Sequence, residues 1–367
     1  MARIFISMSG DGRGHATRVR AITEALRGEH DLTLFAPGDA YLFLKPLYAA
    51  SDVTVREIPA LRFMYTEDNR LCYRRTATDA LRYLRRLPGL VCSLREEIEA
   101  RQPDLAIVDF EPALPRAARL SGLPWVSVNH QHFLRTYDLS SLPRSLRWHA
   151  AYMAMVVELY GSGQADTVVS SFYFPPLRKG CEGVTQVGVL LRPEVLEARP
   201  SEGEHLVAYF RKFASARLLA ALAATGRPVR VYGLGARPRA GNLTFHAISS
   251  SRFIADLTSC AALICTAGNQ LVGEALHLGK PVFALPEPNN HEQAINAHFL
   301  RQTGAGDWSE FDAVDYGRLC GFLRRLDEFR TAMPRERING LPATLAVLRR
   351  HLRETASQPV ALDLVAA

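Results

Sequence analysis

The run Thr266-Ala267-Gly268-Asn269-Gln270-Leu271-Val272-Gly273-Glu274-Ala275-Leu276-His277-Leu278-Gly279-Lys280-Pro281-Val282-Phe283-Ala284-Leu285-Pro286, with His291-Glu292-Gln293-Ala294-Ile295-Asn296-Ala297 just beyond it, is where the architecture of this chain is most legible. The apolar segment 263–265 before it is expected as a buried strand. The small residues around Gly268 then suit a tight turn. A helix starting there would present free backbone N–H groups, which favour an anion such as a diphosphate. Glu274 lies farther along that helix, where a carboxylate can accept both hydroxyls of a ribose. Gly279-Lys280-Pro281 ends the helix and opens another strand, and Pro286 ends that strand in a loop. His291, Glu292 and Gln293 then open a further helix and offer hydrogen-bonding groups to sugar hydroxyls.

Outward from this unit, strand-like and helical patterns alternate, which predicts an α/β protein with parallel sheets. In the first part, strands are expected at 3–8, 32–35, 105–108, 125–128, 167–170 and 186–189, with a helix over 17–27. Residues 192–204 carry two prolines, several acids and Gly203, as a linker would. The alternation then restarts, with strands expected at 205–210, 229–232, 243–245, 263–265 and 282–285. The expected organisation is a first half over 1–191, a linker over 192–204, a second half over 205–340, and a closing helix with a frayed tail over 341–367. Two such halves face each other across a cleft, and ligands bind at the carboxyl ends of the strands.

The first strand runs into Ser9-Gly10-Asp11-Gly12-Arg13-Gly14-His15. The glycines allow a ligand close to the backbone, and the helix that follows favours an anion. This is a poor dinucleotide fingerprint, because His15 stands where the third glycine would and no acid closes the second strand. A histidine at this place can take a proton from a hydroxyl instead, or it can merely pack the turn.

With both constellations in hand, the chain resembles the glycosyltransferases of the GT-B fold. It is most similar to the branch containing the lipid II N-acetylglucosaminyltransferase and the UDP-sugar transferases of plants and natural products. The matching elements are the glycine turn at Gly268, Glu274, Gly279-Lys280-Pro281, the strand ending in Pro286, and Glu292-Gln293 before Asn296-Ala297. Motif identity is confined to this stretch and to the N-terminal glycine loop, while the architectural likeness covers the whole chain.

The resemblance implies two Rossmann-like domains and a nucleotide-sugar donor held by the second half. Gly268, Asn269 and Gln270 would hold the diphosphate through backbone amides, with Gly14 near it. Glu274 would bind the ribose, and Glu292 and Gln293 the donor sugar. Ala247, Ile248 and Ser249 would read the nucleobase through backbone atoms, and Phe253 either closes over the base or belongs to the core. His15 would be the base. Thr266 stands where many small-molecule transferases carry a histidine, which favours the lipid II-like branch. Thr266 and Val282 occupy the places where a retaining enzyme would carry a second glutamate, so inversion is implied. No Asp-x-Asp occurs in the chain, so no metal and no cofactor are expected.

Other residues offer further chemistry. Asp109 and Glu111 end the strand 105–108 at the cleft. Asp109 can orient His15, while Glu111 can bind the acceptor, act as the base or simply start a helix. Asn129, His130 and His132 lie on the same rim, as acceptor contacts or as structure. Arg211 and Lys212 follow the first strand of the second half, where phosphate contact and plain surface charge are both open. Arg74, Arg75, Arg82, Arg85 and Arg86 share a helical stretch with Leu81, Leu84 and Leu87, which suits either solvent or an acidic membrane surface.

The 367 residues are 48% hydrophobic and 22% charged, ordinary for a globular protein of two domains. No apolar run reaches the ~18 residues that span a bilayer. The N-terminus enters a strand with no signal-peptide core, and the six cysteines contain no metal-like pair, so a cytoplasmic protein is expected. The net charge is +7, and eight Arg or Lys residues but no acid lie in 205–253. That balance fits a phosphate-bearing ligand, and no nucleic-acid module accompanies it. The expected partners are the nucleotide sugar and an acceptor sugar, lipid-linked glycan or small molecule, with peripheral membrane contact left open. The competing readings are a UDP-sugar 2-epimerase of the same fold and an inactive nucleotide-sugar-binding subunit.

Overall fold

The computed structural model describes residues 1–10, 13–61, 64, 66, 72–211 and 213–357. Lys212, Asp11, Gly12 and the tail expected to fray beyond 357 lie outside the described residues. The first sheet contains β1 (Arg3–Met8), β2 (Asp31–Pro37), β3 (Thr54–Ile58), β4 (Leu105–Asp109), β5 (Trp125–Asn129), β6 (Asp166–Ser170) and β7 (Thr185–Val187). They run parallel in the order β3-β2-β1-β4-β5-β6-β7. β4 and β5 are buried along their whole length, as continuous apolar strands covered by helices on both faces must be.

The second sheet contains β8 (Leu206–Tyr209), β9 (Val229–Tyr232), β10 (Arg237–Ala240), β11 (Leu243–His246), β12 (Ala262–Cys265), β13 (Val282–Ala284) and β14 (Gly306–Trp308). Its order is β10-β11-β9-β8-β12-β13-β14, parallel except where the exposed edge strand β10 runs against β11. Apart from that edge strand, it repeats the winding of the first sheet through its sixth strand. In both sheets the strand order reverses beside the first strand, at β1/β4 and at β8/β12. Such a reversal opens a crevice at the carboxyl ends of the strands.

Several expectations shift in detail. β3, β10 and β14 were not expected. The first helix spans Arg13–Leu26, so His15 sits in its opening turn. The segment expected as a linker contains a short helix, Pro193–Leu196. The helix Leu341–Ser357 returns to the first half, where Val347, Leu348 and Leu352 join the core around Ile4, Ile22 and Leu105.

The halves touch closely. One apolar cluster joins Phe172, Tyr173 and Val189 of the first half to Ala267, Val272 and Phe299 of the second. Each large apolar side chain buried this way contributes about 1.5–3 kcal/mol. Gly273 makes the approach possible: a Cβ there would lie 2.4 Å from the Val189 side chain.

Candidate active site

Asp109 is the last residue of β4 and pairs with Met8 at the end of β1. The helix Arg13–Leu26 begins soon after Met8 and carries His15 to the carboxylate. His15 Nδ1 lies 2.9 Å from Asp109 Oδ1. An ionised carboxylate only accepts, so this bond puts the imidazole proton on Nδ1 and leaves a lone pair on Nε2. Arg18, one turn along the same helix, places Nη1 2.8 Å from each oxygen of Asp109. Burial alone would raise the Asp109 carboxyl, but Arg18 and His15 outweigh it and hold it below its ordinary value. Nothing in the sequence marked Arg18, although its spacing from His15 puts the two on one helix face.

Phe110 adopts a left-handed backbone, φ 54°, directly after Asp109. Its ring stacks on Tyr160 at 4.0 Å and lies parallel to His15 at 6.4 Å, so the histidine has an aromatic wall. Glu111, next in the chain, turns away from this group. Its oxygens accept from the N–H groups of Ala113 at 2.7 Å and Leu114 at 2.9 Å, capping the helix Ala113–Leu120, and from Tyr83 OH at 3.3 Å. Burial pushes its carboxyl up, against those backbone donors.

The rim residues after β5 bond chiefly to one another and to the second half. Asn129 accepts from the His132 backbone N–H and binds its Nδ1, each at 2.9 Å. His130 contacts the Ser170 carbonyl with Nδ1 at 3.0 Å and Asn296 with Nε2 at 3.1 Å. Burial pushes both imidazoles down to about 4, so they are uncharged near neutrality.

On the opposite side, β12 ends in the turn through Gly268, and the helix Asn269–His277 begins. A Cβ placed on Gly14 would lie 3.9 Å from Gln270 Cβ, so the start of the helix Arg13–Leu26 faces this helix's first turn. Asn269 and Gln270 are buried, and their side chains hold the halves together. Asn269 accepts from the Phe172 N–H at 3.3 Å and donates to the Ser170 carbonyl at 3.1 Å. Gln270 donates to the Leu190 carbonyl at 2.9 Å and to Glu274 at 3.2 Å. Glu274 also receives both arms of Arg192 and is 1% exposed. Arg192, just before the helix Pro193–Leu196, was not anticipated.

Glu292 accepts from Gln131 of the first half at 3.2 Å. The Gln293 amide binds Glu287, accepting from its backbone N–H at 2.7 Å and donating to its carboxylate at 3.2 Å. The carboxylate of Glu287 is also 3.7 Å from Arg211, so Arg211 sits beside Gln293. Ala247, Ile248 and Ser249 form an exposed turn between β11 and the helix Ser250–Ser259. Phe253 lies behind it, buried and edge-on to Tyr232 and Tyr209. Among the described residues no group of three or more His, Cys, Asp or Glu side chains gathers at metal-binding geometry.

The arrangement sets an oriented histidine on one rim against a helix N-terminus and a cluster of polar groups on the other. The comparisons agree with its architecture. Residues 2–327 match the family model described as glycosyl transferase family 1. No curated protein matches in sequence. Among solved structures, the chain is similar to an Arabidopsis thaliana UGT complexed with UDP-L-rhamnose, with TM-score 0.69 and 15% identity over 96% of this chain and 99% of that one. It is similar to CalG4, the calicheamicin glycosyltransferase, with TM-score 0.65 and 17% identity over 97% and 99%. It is also similar to Acinetobacter baumannii MurG, with TM-score 0.61 and 14% identity over 95% and 100%. The fold is therefore GT-B.

Proposed function

The chain belongs to glycosyl transferase family 1 and is a glycosyltransferase, and we propose that it is an inverting, metal-independent one that moves a sugar from a UDP-sugar to an acceptor hydroxyl. The observation that carries this reading is the His15–Asp109 contact at 2.9 Å, which commits Nδ1 and leaves Nε2 as a base. In this reading residues 1–191 bind the acceptor, 192–204 link, and 205–340 bind the donor.

The acceptor hydroxyl gives its proton to His15 Nε2 as its oxygen bonds to the anomeric carbon. The bond from that carbon to the diphosphate breaks, and the diphosphate leaves with the electron pair. The N–H groups at the start of the helix Asn269–His277 face that developing charge and stabilise it without reorganising. Asp109 stabilises the imidazolium that forms. A single displacement of this kind inverts the anomeric centre. Glu274 is assigned to the ribose, Glu292 and Gln293 to the donor sugar, and the turn 247–249 to the base. Asn129, His130 and His132 support the acceptor side from behind.

A lipid-linked glycan is one acceptor class that fits. Leu81 and Leu84 stand exposed beside Arg82, Arg85 and Arg86, which supports contact with an acidic membrane surface. Among the described residues no helix is long and apolar enough to cross a membrane. The cysteines are free thiols, which supports work in a reducing compartment.

A thermal-shift panel of nucleoside diphosphates and their sugars identifies the donor. Transfer is then followed with excess EDTA, and the product's anomeric configuration is read by NMR. Full turnover in EDTA with inversion is expected. Loss of activity restored by magnesium or manganese, or a retained configuration, overturns the mechanism. Donor isomerised or hydrolysed with no acceptor present would identify an epimerase instead.

A further inference from the structure

Asp109 serves two partners at once. Its Oδ1 receives both His15 Nδ1 and Arg18 Nη1, and its Oδ2 lies 2.8 Å from Arg18 Nη1. All three side chains are buried, Arg18 at 3% exposure and Asp109 at 0%. Among the described residues, the Arg18 Nε has no hydrogen-bond partner. The carboxylate is thus the anchor that the guanidinium has found in this site. In a plain His–Asp pair the whole carboxylate charge acts on the imidazole and favours its charged form. A guanidinium never gives up its proton, so here that charge is permanently shared.

We infer that Arg18 is a positioning residue for the base: by sharing Asp109 it fixes the carboxylate against His15 Nδ1 and weakens the carboxylate's pull on the imidazole. The inference rests on the reading of His15 as the base. Among the described residues, few other charges face this group. On the β4 side Glu111 points away and is taken up by Ala113, Leu114 and Tyr83, while the uncharged rings of Phe110 and Tyr160 form the wall. Across the cleft, His130 lies within electrostatic reach of both Arg18 and Glu292.

Sharing has a chemical use beyond orientation. A base that has taken a proton must release it before the next turnover. An imidazolium beside a fully available buried carboxylate would hold that proton tightly, and Arg18 loosens the hold. Lysine in its place would keep the charge but not the rigid, planar guanidinium that sets one Nη1 2.8 Å from both oxygens.

The test uses the full chain labelled with ¹³C-histidine and needs no substrate. The His15 Cε1–H resonance is assigned by its absence in His15→Gln and followed against pH. In Arg18→Gln and Arg18→Met the midpoint should move to higher pH by about one unit, because the carboxylate then acts on the imidazole alone. Arg18→Lys should restore most of the wild-type behaviour. Reading two neutral variants keeps the test open where one fails to fold. A midpoint that is unmoved or lower in the folded neutral variants overturns the inference, as does an equal shift in the lysine variant. The expected shift in a chain that transfers no sugar would keep the charge sharing and refute only the transfer reaction.

Discussion

Arg192 donates to both carboxylate oxygens of Glu274, Nε at 3.1 Å and Nη2 at 2.8 Å, with side-chain exposures of only 10% and 1%. The carboxylate assigned to the donor ribose is therefore already held by a guanidinium and by the Gln270 amide. A ribose must share it with Arg192 or displace Arg192. Glu274→Gln should weaken UDP or TDP binding by ~1–3 kcal/mol in calorimetry. Unchanged affinity for both would remove Glu274 from the donor site.

Arg192→Met would leave that carboxylate buried without its cation. Such a loss costs about 3–5 kcal/mol of stability, while removing both charges costs much less. The double variant with Glu274→Gln should accordingly melt above Arg192→Met. If it melts lower still, the pair is not what Arg192 contributes.

His15→Ala should lower turnover by roughly 10²–10⁴-fold, the usual worth of a positioned base, and leave nucleotide affinity nearly intact. Turnover and calorimetric affinity need to be read together. Near-normal turnover would transfer the role to another group, and lost nucleotide binding would make His15 part of the phosphate loop.

Acid stability follows from Asp109, whose carboxyl is held below its ordinary value despite its burial, by Arg18 and His15. A carboxyl lowered on folding stabilises the fold above its unfolded value of about 3.9, and that contribution disappears as pH falls through the lower folded value. Urea unfolding should therefore show wild type more stable than Asp109→Asn near neutrality, with the gap narrowing below about pH 4. A gap of constant size across that window would assign the stabilisation to some other cause.

Leu81 and Leu84 are 51% and 58% exposed, among arginines on the helix Tyr73–Arg101. If this face meets a membrane, the intact chain should sediment with phosphatidylglycerol vesicles but not with phosphatidylcholine vesicles, and salt should release it. Leu81→Glu with Leu84→Glu should cut the bound fraction several-fold. Equal binding of the double variant would clear this face of the role.

The winding of both sheets was readable because β1, β4, β5, β8 and β12 are short apolar runs bounded by turn residues. β3 escaped because Arg56 and Glu57 interrupt its pattern, and β10 because its residues Arg237–Ala240 are all exposed and carry no alternation. The histidine, its carboxylate and the glycine turns stood out through local chemistry. Arg18 did not, since its partner lies 91 residues away and only β1–β4 pairing brings them together. Arg192 was hidden for the same reason, since Glu274 lies 82 residues away on another element.

Asn296 is the bolt between the halves. It receives His130 at 3.1 Å and the Tyr173 hydroxyl at 2.9 Å from one side and donates to the Ala267 carbonyl at 2.9 Å on the other. Asn269, Gln270 and Glu292 add their own ties to the first half. If the donor binds between the halves as proposed, these ties must part for a nucleotide to pass. On the proposed reading, traffic through the doorway rather than the making of the glycosidic bond is the expected slow event of each cycle. Turnover should fall in proportion to solvent viscosity as sucrose is added, and Asn296→Ala should quicken product escape while loosening the hold on UDP. A rate indifferent to viscosity would return the slow step to the chemistry.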